Sequence, residues 1–269
     1  MRINTNLNGM IATNQMAKNT ALAGNSMEKL STGLRITKAG DDAAGLAVSE
    51  KMRAQIRGME QAERNVQDGI SLVQTAEGAL EEAGNIVQRM RELGIQAGND
   101  TLDTKDREKI KAEITQLKEE MVNISVETKF NGNALLDGTK ATFTIQAGAN
   151  KETRTIDMAN LSNIAKTIST IDIANAKAAQ TFVGEIDTAL EEITKARANL
   201  GAMQNRLEAT SSNLSTSTEN LTAAESRIRD VDVAKEMVKL SKLNILTQAS
   251  QAMVSQAKQQ PEQVTQLLR

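Results

Sequence analysis

The sequence contains no histidine and no cysteine in 269 residues, and that removes most of the chemistry a chain of this size could perform. Histidine is the side chain most often used as general acid or base, cysteine supplies the thiolate nucleophile, and together they make most zinc sites. A HExxH motif, a Ser–His–Asp triad and a Cys₄ site are all impossible. Carboxylates, lysines and arginines remain. Asp41 and Asp42 stand together before Ala43-Ala44-Gly45. Two adjacent carboxylates without a third ligand make a poor metal site, and a helix N-cap is the better reading. Gln88, Arg89, Arg91, Glu92 and Leu93 form a charged stretch within a helical pattern. Their spacing reads as a solvated face with local ion pairs of small energetic weight. The expected chemistry is therefore non-catalytic, with no cofactor and no metal.

Composition narrows the remaining classes. Phe130, Phe143 and Phe182 are the only aromatic residues, with no Trp or Tyr. Large rings normally dominate the buried area of a core. The apolar content here comes from Ala, Leu, Ile, Val and Met, which suits thin seams between helices. The one proline, Pro261, stands near the C-terminal end, so the preceding residues can form long helices without a proline kink. Charge is almost balanced, at 32 basic against 34 acidic residues, and there are few rings for bases to stack on. Nucleic acid is not an expected partner. No apolar run is long enough to span a bilayer, so membrane insertion is not expected either. The opening MRINTNLNGM lacks the apolar segment of a signal peptide, and any export is expected to proceed without a cleaved leader.

The elements that position these residues are announced by a seven-residue repeat. Met52, Met59, Val66, Val73, Leu80 and Val87 recur without a break, and Leu72, Ala79, Ile86 and Leu93 form a second stripe. Ile186, Ile193, Leu200, Leu207, Leu214, Leu221 and Ile228 repeat the pattern towards the C-terminus. Sustained heptads mean helices packed side by side with a shallow left-handed twist. Each segment with its flanks is about 50 residues, a rod of roughly 75 Å. Ile110, Ile114, Leu117, Met121 and Ile124 predict a shorter helix between them, with Asp103 or Thr104 as N-cap and a turn at Asn131-Gly132. From Thr139 to about Thr170 the period drops to two, predicting one β-hairpin with a short tail at the far end of the rods. The expected fold is mainly α: an elongated antiparallel helical bundle or coiled coil with one small β-hairpin region near 139–170.

The ends differ from the middle. Residues 1–43 carry a helical stripe of Ala23, Met27, Leu30 and Leu34. Residues 230–269 place apolar side chains on several faces, among them Val238, Leu243, Ile245, Leu246 and Met253. A helix apolar nearly all round must be buried, and one N-terminal helix cannot cover it. Other copies of the chain are expected to supply the rest.

Particular runs of residues resemble bacterial flagellin. Leu30-Ser31-Thr32-Gly33-Leu34-Arg35-Ile36, Asp41-Asp42-Ala43-Ala44-Gly45-Leu46 and Met52-Arg53-Ala54-Gln55-Ile56-Arg57-Gly58 are similar to that family's N-terminal signature. Ser226-Arg227-Ile228-Arg229-Asp230 and the closing Gln266-Leu267-Leu268-Arg269 are similar to its C-terminal one. Thr5 stands where many flagellins have His.

The resemblance implies a structural subunit of an extracellular flagellar filament, a helical homo-oligomer that self-assembles through its ends as the propeller of motility. It implies an inner terminal domain at 1–43 and 230–269, and a rod domain at 44–229 without the outer domains many flagellins insert. Met27, Leu30, Leu34, Val238, Ile245, Leu246 and Met253 would then pack in the filament core, and Asp41-Asp42 would lie in a hinge. An export chaperone and a filament cap are implied partners. Gln88, Arg89 and Leu93 match positions that engage the animal Toll-like receptor for flagellin, as does Glu113, and Arg91 and Glu92 share their surface. The same surface would lie against a neighbouring subunit. A hook–filament junction protein is the alternative within the family, and a coiled-coil signalling scaffold is the alternative outside it.

Overall fold

The heptad runs fold as long helices. The computed structural model describes residues 5–168 and 172–267, with side chains near the C-terminus described as far as Gln259. The 169–170 end of the expected β region and the closing Leu268-Arg269 lie outside the described residues. In chain order the elements are α1 (Leu7–Thr32), α2 (Ala43–Ala97), α3 (Thr104–Glu127), β1 (Lys129–Phe130), β2 (Asn133–Ala134), β3 (Thr142–Gln146), β4 (Thr153–Asp157), α4 (Leu161–Thr167), α5 (Ala176–Arg229) and α6 (Val233–Leu267). The class is mainly α, as expected. Among the described residues, no helix is long and apolar enough to cross a membrane.

Two compact units result. One joins the residues up to Ala54 with those from Asn220 onward, and the other spans Gln55–Glu219. Both long helices, α2 and α5, contribute to both.

In the middle unit α2 and α5 lie antiparallel in a constant register. Gly94 faces Phe182 and Val183, Gly84 faces Ile193, and Gly69 lies near Leu207. The heptad positions form the core. Val66, Val73, Leu80 and Val87 of α2, and Ile186, Ile193, Leu200 and Leu207 of α5, are at most 2 % exposed. The expected short helix is α3, with Asp103 as its N-cap. Its Ile110, Ile114 and Met121 are buried, completing the third side of the seam. Arg107 of α3 donates to the carbonyls of Asn99 and Ala174, tying the α2–α3 turn to the entry of α5.

The β region departs from expectation in three ways. There are two hairpins rather than one. β1 and β2 pair through Asn131 and Gly132, whose φ values of 49° and 80° are the left-handed conformation a two-residue turn requires. β3 and β4 pair antiparallel, with Phe143 opposite Ile156. The tail beyond β4 is helical: α4 is capped by Asn160, whose side chain accepts from the Asn163 N–H, and its Leu161, Ile164 and Ala165 are buried. Finally, the larger hairpin does not sit at the far end of the rods. It docks on the N-terminal half of α2, where Asn65 Nδ2 donates to the Gln146 carbonyl at 3.2 Å and Ala149 abuts Gly58. The 24 residues of α3 carry the chain back by about 36 Å. Distance along the sequence did not measure distance in space.

Candidate functional site

The terminal unit pairs α1 with α6, and the seam between them is made mostly of small and polar residues, with Leu243 the large apolar exception. The helices enclose Asn19 and Ser26 of α1 and Ala257 of α6 between them. Large side chains would hold them farther apart. Asn6, the N-cap of α1, donates from Nδ2 to the Ala257 carbonyl at 2.6 Å. Asn19, 3 % exposed, faces Ser250, with 3.4 Å from Nδ2 to Oγ. Ser26 is fully buried against Glu236. Its Oγ makes no hydrogen bond of good geometry, but the hydroxyl faces the carboxylate. Together with Lys239, whose Nζ donates at 3.0 Å, it holds the Glu236 carboxyl below its usual pKa.

With the seam filled this way, the large apolar side chains point outward. Leu7, Met10, Ile11, Leu22 and Met27 of α1 and Val233, Met237, Val238, Ile245, Leu246 and Met253 of α6 are exposed. Val238 is 71 % exposed, Ile245 63 % and Met27 62 %. Leu30 and Leu34 are half-buried. A groove of about 630 Å³ runs between the helices, lined by Ile11, Ala12, Asn19, Leu246, Ser250 and Met253 among others. Among the described residues these large apolar side chains are left exposed, and exposed apolar surface of this kind marks an interaction site.

The joint at the base of this pair is closed by hydrogen bonds. Gly33 caps α1 with φ 70°. Leu34 and Asp230 form an isolated antiparallel bridge, with Arg35 N donating to Arg229 O at 2.6 Å and Val231 N to Gly33 O at 3.0 Å. The Arg35 guanidinium donates twice to the Ile228 carbonyl at the end of α5, from Nε at 3.2 Å and Nη2 at 2.6 Å. Arg229 Nη1 donates to Glu50 Oε1 at 2.7 Å and to Ser49 Oγ at 3.3 Å. The two aspartates divide their work. Asp42 caps α2 by accepting from the Gly45 N–H at 2.8 Å. Asp41 accepts from the N–H groups of Lys38 and Thr37 and from the Thr37 hydroxyl, which lower its pKa in that order.

The charged face of the middle unit is only partly the cluster its spacing predicted. Arg89 bridges α2 and α3, donating to Glu113 Oε1 from Nε at 3.2 Å and from Nη2 at 2.9 Å, and to Glu92 Oε2 at 3.0 Å. These carboxylates, Glu113 foremost, hold the guanidinium still more firmly protonated. Gln88 is exposed beside them. Arg91 turns the other way and pairs with Asp187 on α5 at 2.6 Å. Leu93 is buried. It is 3 % exposed because it continues the second heptad stripe into the core.

Several residues of the terminal unit escaped the sequence reading, and a signal for them was present. Asn19 and Ser26 are seven apart, and so are Glu236, Leu243, Ser250 and Ala257. These are heptads too, but apart from Leu243 they consist of small and polar residues, which carry no apolar signal. The Arg35–Arg229 joint had no signal, since it depends on backbone carbonyls.

Comparison with known proteins gives a consistent result. The bacterial flagellin N-terminal helical region matches residues 3–141, and the bacterial flagellin C-terminal helical region matches residues 183–268. A flagellin of Halalkalibacterium halodurans is 53 % identical, and one of Bacillus subtilis 47 % identical, each over 100 % of both chains. The crystal structure of Bacillus cereus flagellin is similar, with a TM-score of 0.52 and 34 % identity over 60 % of this chain and 94 % of that one.

Proposed function

This chain belongs to the bacterial flagellin family, and we propose that its outward terminal face is the surface that other copies cover on assembly. The chain is a structural subunit of the flagellar filament, a homopolymer outside the cell, and not an enzyme. Full-length identity to filament proteins, rather than shared terminal helices alone, favours this over a junction protein or a signalling scaffold.

One observation carries the proposal: the α1–α6 pair buries small and polar residues in its seam and exposes Met27, Val238, Ile245, Leu246 and Met253. Covering such side chains stabilises by roughly 25 cal/mol per Å². That gain offsets the entropy of fixing the ends against a neighbour. In this reading, residues 1–43 and 230–269 form the inner domain and residues 44–229 the rod. Those limits lie near the start of α2 at Ala43 and the end of α5 at Arg229, while the compact units divide further inward, after Ala54 and before Asn220. The two long helices then act as the stiff part of a propeller. Subunits leave the cell escorted by an export chaperone and are placed beneath a filament cap.

The exposed set Gln88, Arg89, Glu92 and Glu113 is a second contact surface, shared between a neighbouring subunit and the animal Toll-like receptor for flagellin. Leu93 underlies it as packing, and Arg91 contributes through the α5 side.

Deletion of residues 240–269 is the direct test. The shortened chain is expected to remain a soluble helical monomer by circular dichroism and sedimentation. Long filaments from it in negative-stain images would refute the proposal.

A further inference from the structure

Methionine is the readily oxidised side chain of this composition, which has twelve of them and no Cys, Trp, Tyr or His. The structure sorts them by unit. Met10, Met27, Met237 and Met253 are 54 %, 62 %, 55 % and 59 % exposed, and all four lie in the terminal unit. Met59, Met90 and Met121 are 8 %, 0 % and 0 % exposed, and all three lie in the middle unit. Met16, Met52, Met158 and Met203 are intermediate. Met253 also lines the groove between α1 and α6 beside Ile11 and Leu246.

We propose that Met10, Met27, Met237 and Met253 are a peroxide-reactive set, and that their oxidation to sulfoxide switches assembly off while leaving the middle unit folded. The inference rests on the reading that other copies cover the outward terminal face. The substrate class is a hydroperoxide, hydrogen peroxide being the simplest. The thioether sulfur attacks the peroxide and takes one oxygen, and the O–O bond breaks. The sulfur is oxidised by two electrons, and the peroxide is reduced to water.

The product replaces a soft apolar group with a strongly polar S=O acceptor. In the monomer that acceptor is satisfied by water. On assembly it would have to be desolvated on a surface that carries Ile11, Val238, Ile245 and Leu246, with Asn8, Gln15 and Gln256 also lining the groove beside Met253, and an acceptor buried there without a donor opposes burial. Four such groups in the terminal unit act in the same direction. Met59, Met90 and Met121 are buried, so the core positions they fill keep their packing. The lesion is reversible, because methionine sulfoxide reductases restore the thioether.

The test treats full-length monomer with dilute hydrogen peroxide, maps sulfoxides by peptide mass spectrometry, and follows assembly by light scattering and negative-stain microscopy. The four outer methionines are expected to oxidise at least about tenfold faster than Met59, Met90 and Met121. Helical circular dichroism should be retained, and the critical concentration for assembly should rise by about tenfold or more. The two reductases of opposite epimer specificity should restore assembly. A variant carrying Met10→Leu, Met27→Leu, Met237→Leu and Met253→Leu, all close to volume-conserving, should assemble after the same treatment. Equal oxidation rates across both sets, undiminished assembly of monomer oxidised at all four sites, or a quadruple variant that peroxide still inhibits would each overturn the proposal. Preformed filaments test the underlying reading separately. Protection of the four sites there supports covering by neighbouring copies. Reactivity equal to the monomer's would refute that covering, whatever selectivity the monomer shows.

Discussion

The terminal and middle units draw on the same apolar residue types and the same seven-residue period, but they sort the residues in opposite directions. In the middle unit the large apolar positions face one another, and Val66, Val73, Leu80 and Ile193 are essentially closed to solvent. In the terminal unit the buried stripe includes Asn19, Ser26 and Ala257, while Val238, Ile245 and Met253 point out. One unit has completed its core within a single chain. The other has a seam of small and polar residues and an apolar exterior, the arrangement of a part that is finished by neighbours. The period alone therefore says how residues divide among faces, and the partner available decides which face is buried.

The sharpest way to break this comparison is one substitution of the same kind in each unit. Leu80→Ala, in the middle unit, should cost about 2–5 kcal/mol of stability in urea unfolding, through lost transfer energy and the cavity left behind. Ile245→Ala, at a 63 % exposed site, should change monomer stability by no more than about 0.5 kcal/mol yet weaken filament formation severely. Equal stability losses would mean that the terminal unit has a conventional core after all.

Smaller effects probe how closely each unit is fitted. A Cβ at Gly58 would meet Ala149 Cβ at 2.9 Å and its Cα at 3.2 Å. Gly58→Leu should therefore lift the hairpin turn from α2, at a cost of roughly 1–3 kcal/mol, visible as faster amide exchange in β3 and β4. In the terminal unit, Asn19→Leu should push α1 and α6 apart. The expected loss is again about 1–3 kcal/mol, but confined to exchange protection of α1 and α6, with the middle unit unchanged. A loss spread over both units would show that they are not separate in stability.

The smallest expected effect is on pH dependence. The Glu236 carboxyl titrates below its ordinary value of 4.5, held down first by Ser26 and then by Lys239. A depressed carboxyl contributes stability that is present above the unfolded-state pKa and disappears as pH falls through the folded one. The α1–α6 pair should accordingly loosen below about pH 4.5, and Glu236→Gln should flatten that part of the profile in exchange measurements on α1 and α6. An unchanged profile in the variant would remove Glu236 from the seam's energetics.

Much of the middle unit was legible in the sequence because its signals are local and apolar. Met59 through Val87 and Ile186 through Leu214 mark their own buried faces, and Asp103 marks the start of α3. The hairpin's strands were legible from their alternation, but its docking site was not, because that depends on α3 doubling back and on Gly58 admitting Ala149. Leu93 shows one signal overriding another. Its neighbours Arg89, Arg91 and Glu92 suggested a surface, while its heptad position placed it inside. The charged face also proved to be two separate ion-pair groups. Arg91 chooses Asp187 on α5, a partner 96 positions away, and no spacing rule reaches that far.

The sequence by itself determined that this protein is mainly helical, built on heptads and without histidine or cysteine chemistry, because residue types and short-range periodicity need no partner to be read. It also determined that the ends carry more apolar surface than they can hide alone. Only the tertiary structure decided which stripe of each terminal helix is enclosed. The physical reason is fit between the two helices: small residues such as Ser26, Ser250 and Ala257 let the backbones approach, and Asn6 and Asn19 reach partners across the seam at Ala257 and Ser250. The large side chains are left facing out, where another molecule must meet them.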